Sequence, residues 1–136
     1  RVINGFLETG AAMGAFHVRC DGNDVGGSGL DGTVSSSPEA QPFRAGPFGA
    51  GRTLVYHSGS TVSANGAPGA VVVSSSQGGM MAASSIGRGR LVLVGDSSPE
   101  EDGTCQCSAA LHPGWTEADN AALVLNATAW LAHDGS

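Results

Sequence analysis

Asp96, Glu100, Glu101 and Asp102 crowd one short stretch, interleaved with Ser97 and Ser98 and followed by Thr104. Oxygen donors at this density could hold Ca2+ or another hard cation, with Asp96, Glu101 and Asp102 as the candidate ligands. The spacing is not that of an EF-hand loop. In the plainer reading, Asp96 accepts hydrogen bonds from loop amides and the other carboxylates face water. In a third, the loop from Asp96 to Asp102 supplies carboxylates to a hydrolytic site that another chain completes.

Sulfur is the next candidate. Cys20, Cys105 and Cys107 are an odd set. A disulfide from Cys20 to one of the other two is possible in an oxidising compartment, leaving one thiol over or paired with another chain. Cys105, Cys107 and His112 could instead be part of a soft-metal site, with His17 or Cys20 as the missing ligand, but the spacing fits no standard zinc pattern. His57 and Ser58 are adjacent on a predicted strand, where neighbours point to opposite faces, so they do not form a base–nucleophile pair. The chain has no Gly-x-Ser-x-Gly or Gly-x-Cys-x-Gly elbow. The enzyme question therefore leans to no. Asn126-Ala127-Thr128 has the form of a glycosylation sequon but falls inside a predicted helix, so it reads as chance.

Bulk properties narrow the partners. Six Arg and no Lys stand against twelve Asp and Glu, for a net charge of −6. No basic cluster is present to neutralise phosphates, which argues against nucleic acid. No apolar run is long enough to cross a membrane as a helix. The 136 residues suit one domain, and 22 glycines predict tight turns around a modest core. The chain starts at Arg1 with no signal peptide, as a mature or processed piece would.

These residues need a scaffold. Residues 3–14 predict a weak helix with Ile3, Phe6, Leu7 and Gly10 on one face, and residues 15–20 a short strand. Residues 21–41, rich in Gly, Asp and Ser, predict a long loop ordered by partners or mobile. Strands are expected at 53–57, 70–74 and 78–86, with an Asn65-Gly66 turn between the first two and Met80-Met81 in the core. Pro47-Phe48-Gly49 is turn-like. A strand is also expected from Arg90 to Asp96, continuously apolar between those two ends, as a central strand covered on both faces would be. Arg88 and Arg90 beside it read as solvated turn residues. Ser97 to Pro113 is the loop that follows. Thr116 is then expected to cap a helix over 117–132, whose broad apolar face suits packing on a sheet. His17 and His133 read as surface residues.

Residues 86–132 resemble a block found in secreted bacterial proteins. Gly87-Arg88-Gly89-Arg90-Leu91-Val92-Leu93-Val94-Gly95-Asp96-Ser97-Ser98-Pro99 and Glu101-Asp102-Gly103-Thr104 carry the likeness. So do Gly114-Trp115-Thr116, Asp119-Asn120-Ala121, Leu125-Asn126-Ala127 and Trp130-Leu131-Ala132. The block is similar to the end of a class I glutamine amidotransferase-like, or ThuA-like, α/β domain, a type that accompanies extracellular nucleases and esterases. The resemblance implies a partial doubly wound, flavodoxin-like α/β sheet with a C-terminal helix and additional β-hairpins. On this view residues 1–136 are a single domain fragment whose first half lies in another chain or segment. Active members place a His-Pro-Glu sequence after a late strand. Here Asp96 or Ser97 stands where that His is expected, so the resemblance implies a non-catalytic relative.

The expected function is a non-catalytic accessory or interaction module of a secreted, extracellular bacterial protein, bound to a protein partner or oligomeric. The alternatives are a subunit of an extracellular hydrolase and a structural subunit of an extracellular assembly. No cofactor is expected beyond the Ca2+ that the acidic loop could hold.

Overall fold

The computed structural model describes residues 16–104 and 113–132. Alternating side chains and tight turns make most of it β-structure. The strands are β1 (Val18–Cys20), β2 (Val25–Val34), β3 (Ala45–Gly46), β4 (Gly49–Ala50), β5 (Thr53–Gly59), β6 (Val62–Ala64), β7 (Gly69–Ser75), β8 (Gly78–Ile86) and β9 (Gly89–Val94). One helical turn, α1 (Gln41–Arg44), precedes β3, and α2 (Asn120–Leu131) ends the described chain.

Seven strands form one sheet in the order β1-β6-β8-β7-β2-β5, with β9 against β8. Every pairing is antiparallel. This corrects the doubly wound, flavodoxin-like α/β expectation. A parallel sheet needs crossover connections, usually helical. Here β7, β8 and β9 follow one another through two-residue turns, Ser76-Gln77 and Gly87-Arg88. The apolar run in β9 was sound evidence of burial on both faces but not of parallel pairing. Leu91 and Leu93 join one apolar cluster, while Val92 and Val94 pack against another.

The second correction falls on 21–41. Ten of those residues are β2, and Pro38–Ala40 and α1 make two short helical turns. Leu30, Gly32 and Val34 are buried while Asp31 and Thr33 are exposed, the alternation of a strand with one face covered. A Cβ on Gly32 would lie 2.2 Å from the Met80 sulfur, so the missing side chain is what lets β2 lie against the core. Composition hid the strand; packing makes it.

Two cores result. The larger gathers Val34, Phe43, Leu54, Tyr56, Met80 and Leu123 between the sheet and the two helices. Met80 and Met81 are core residues, as the sequence predicts. The smaller holds Phe16, Val18, Val62, Ala82 and Leu93 between the β1–β6 ribbon and the β8–β9 hairpin. Strand β5 ends the sheet order and β6 lies one place in from the other end, between β1 and β8, yet only Ser60 and Thr61 separate them. The sheet therefore curls until one bent run of chain joins its two sides.

That curl brings two chain segments into backbone contact. Ser60 N–H donates to the Gly95 carbonyl at 2.9 Å. A Cβ on Gly59 would lie 2.5 Å from the Gly95 oxygen, and one on Gly95 would lie 1.8 Å from the Ser60 oxygen. Only glycine fits at this crossing.

The helix starts later than expected. Thr116 closes a 3-10 turn, and its hydroxyl donates to the Pro113 carbonyl at 2.9 Å. Asp119 is the residue before the helix, and its carboxylate does not cap the helix. Arg90 corrects another expectation. Arg88 is exposed, but the Arg90 guanidinium lies 5.1 Å from the centre of the Trp130 ring and donates to the Trp130 carbonyl. The expected helix at 3–14 lies outside the described residues, as does His133. None of the described helices is long and apolar enough to cross a membrane.

Candidate functional site

The polar groups gather along the outer edge of β5. This strand has one neighbour, β2, so the N–H groups of Thr53, Val55 and His57 face away from the sheet. Bare edge amides at a strand are a template for unwanted pairing. Here side chains meet each one. Asp119 Oδ2 accepts from Thr53 N–H at 3.0 Å and from Arg52 N–H at 2.9 Å. Asn120 Oδ1 accepts from Val55 N–H at 2.8 Å, and Asn120 Nδ2 donates to the Val55 carbonyl at 3.2 Å. Asn120 thus acts as one residue of a missing neighbour strand. Asp96 Oδ2 accepts from His57 N–H at 3.0 Å.

Asp96 is the foremost candidate from the sequence, and its oxygens are occupied. Beyond His57, they accept from Ser58 N–H at 3.2 Å, from Ser98 N–H at 3.0 Å and from the Ser98 hydroxyl. The plainer of the sequence readings, a carboxylate holding loop amides, describes this arrangement. Glu101 and Asp102 do not join it. Glu101 Oε1 accepts from the Ser97 hydroxyl at 2.9 Å. Asp102 Oδ1 takes the Thr104 hydroxyl at 2.5 Å and its N–H at 2.8 Å. These two Thr104 donors hold the exposed Asp102 carboxyl below its usual range, the hydroxyl contributing most. Among the described residues, no three His, Cys, Asp or Glu side chains gather where they could hold a metal ion.

His57 and Ser58 diverge, as alternation requires. The His57 ring turns to Glu117, with Nε2 2.6 Å from Oε2. Cys20 is half-buried on β1; Cys105, Cys107 and His112 lie outside the described residues, so the disulfide and soft-metal expectations fall there too. His17 is far along the chain from that set, with Nδ1 2.9 Å from the Asn65 carbonyl.

Behind the edge, the Tyr56 hydroxyl joins two strands. It donates to the Met80 carbonyl and accepts from Gly95 N–H at 2.6 Å. Burial pushes this phenol far above its ordinary value, against the pull of the Gly95 N–H; the nearby Asp96 charge pushes it further up. An unfolded phenol ionises near pH 10. The stabilisation is therefore complete below about pH 10 and is lost as pH rises from there toward the raised folded value. Tyr56 is the single tyrosine of the chain. In an alkaline titration, tyrosinate absorbance is expected to appear only together with loss of the native circular dichroism. Tyrosinate forming near pH 10 in fully folded protein would contradict the buried, doubly bonded phenol.

Sequence reasoning missed a second polar hub. Asn126 is fully buried. Its Nδ2 donates to the Phe43 and Gly49 carbonyls, each at 3.0 Å, and its Oδ1 accepts from Phe48 N–H at 2.9 Å. The sequon asparagine is thereby consumed inside the protein. Its effect is to fix the β3–β4 turn, at whose tip Phe48 is 54% exposed. Asn120 and Asn126 could have been found. Both fall on the helix face that carries Leu123 and Ala127, and an amide on an apolar stripe must find buried partners. A comparison of the chain with protein-family models, with characterised proteins and with solved structures finds no match.

Proposed function

We propose that the chain is a non-catalytic interaction module, and that Phe48 is its anchor. The observation that carries this reading is a large aromatic ring exposed to water on a turn clamped by the buried Asn126 amide. Aromatic anchors dominate binding energy at interfaces, and a pre-ordered anchor loses little entropy on docking. The geometry around Asp96, the foremost candidate from the sequence, supports the same reading. Asp96, Asp119 and Asn120 are spent on sealing the β5 edge. The extracellular setting rests on the resemblance of residues 86–132 to blocks of secreted proteins.

Two measurements test the proposal. A random peptide library panned against the chain is expected to yield apolar sequences whose affinity falls roughly ten- to thirty-fold on Phe48→Ala. Peptides that bind both forms equally would remove Phe48 from the reading. Assays on ester, amide and phosphodiester substrates are expected to show no turnover. Turnover abolished by Asp96→Ala with the fold intact would replace the module with the hydrolase alternative.

A further inference from the structure

Three strands of the sheet, β1, β5 and β9, have one neighbour each among the described residues, and the edges of β5 and β9 are treated differently. Every outward amide of β5 meets a side chain. Among the described residues, the outer edge of β9 meets no strand, β8 being its one partner. The register settles which groups face out. Ile86 pairs Gly89 across the two-residue turn, and Gly95 N–H donates to the Met80 carbonyl at 3.2 Å. Hydrogen-bonded pairs alternate between those limits, so Leu91 and Leu93 bond to β8 while Arg90, Val92 and Val94 turn their N–H and C=O outward.

Among the described residues no strand lies along this edge, and α2 reaches β9 at Arg90 through Trp130. β9 has no proline and no bulge. Its one charged side chain, Arg90, is drawn aside onto Trp130. Edge strands are ordinarily blunted by such devices. A cleft of about 360 Å3, lined by Val92, Val94, Asp96, Ser97 and Glu100 among others, runs along the same stretch.

We infer that β9 pairs antiparallel with β9 of a second copy, about a two-fold axis at Val92. The charges at its two ends select this occupant. The turn before β9 carries exposed Arg88, and the segment after it carries Asp96 and exposed Glu100. Centring the pair on Val92 sets Arg90 opposite Val94 and Arg88 opposite Asp96, beside Glu100. The symmetry repeats both contacts, so the edge is complementary to itself, as an isologous interface requires. This register also uses all three outward residues, Arg90, Val92 and Val94, on each copy. The inference stands independently of Phe48.

Sedimentation velocity over a concentration series tests it. The expected result is a dimer that dissociates on dilution and more readily in added NaCl. Val92→Pro removes an outward N–H and none of the bonds to β8, a position where edge strands tolerate proline. It is expected to give a folded monomer. Arg88→Glu and Glu100→Arg are each expected to weaken the dimer roughly tenfold, and the double exchange to restore it. The exchange keeps the test sharp should Val92→Pro fail to fold. A wild-type chain that stays monomeric at every concentration overturns the inference. So does a folded Val92→Pro that dimerises like wild type, or a double exchange no better than its parents.

Discussion

Gly95→Ala is expected to lower stability by about 4 kcal/mol or more, the range reserved for a clash that nothing can relieve. The added methyl would sit 1.8 Å from the Ser60 carbonyl oxygen. That oxygen belongs to the backbone at the bend between β5 and β6, so no rotamer change moves it away. The strain also reaches Gly95 N–H, which bonds to both the Tyr56 hydroxyl and the Met80 carbonyl. For a domain of this size, the midpoint of thermal unfolding should drop on the order of 12 °C. Gly87→Ala is the comparison, because its Cβ would meet nothing within 4 Å and only its φ of 56° is strained. If calorimetry finds the Gly95 variant no worse than the Gly87 variant, the close crossing is wrong.

Asn120→Ala should cost about 3 kcal/mol. Asn120 is fully buried, and truncation strands three backbone groups. Val55 N–H and C=O lose their partner on the β5 edge, and the Gly114 carbonyl loses a donor at 2.8 Å. Unsatisfied buried groups cost more than the bonds that satisfied them were worth. Asn120→Asp is no rescue. It keeps the acceptor for Val55 N–H but turns a negative charge toward two carbonyls. Denaturant unfolding gives the magnitude, and hydrogen exchange gives the place: the Val55 amide should exchange much faster in Asn120→Ala. A loss below about 1 kcal/mol would mean that water replaces the amide without penalty.

How much of this was readable in the sequence depends on how local each cause is. The β-branched run at 71–73 and the apolar span of β9 announce strands through their own side chains. Two-residue turns announce their connections. Strand β2 does not, because its glycines are there for the partners they admit; Gly32 makes sense only with Met80 above it. The mistaken sheet type has the same origin. Burial on both faces can be read from β9 alone, but which neighbour lies beside it, and in which direction, cannot.

Site residues divide along the same line. The acidic surroundings of Asp96 mark it out in the sequence, and its carboxylate holds loop amides. What no local pattern gives is that the most distant of those amides belong to His57 and Ser58, about forty positions earlier in the chain. Asp119 shows the cost of a local rule. Acidic residues near a helix start suggest capping, yet this carboxylate serves Arg52 and Thr53 instead.

The bend at Ser60-Thr61 has a consequence for how the molecule comes apart. In an open sheet, the outermost strands are free to fray one at a time. Here outermost β5 and β6, which is flanked by β1 and β8, belong to one continuous run of chain, anchored at its middle by the Gly95 crossing. Pulling β5 away from β2 therefore drags on β6 and on its contact with β8. The sheet behaves as a clasped bracelet rather than a fan, and the clasp is a pair of glycines.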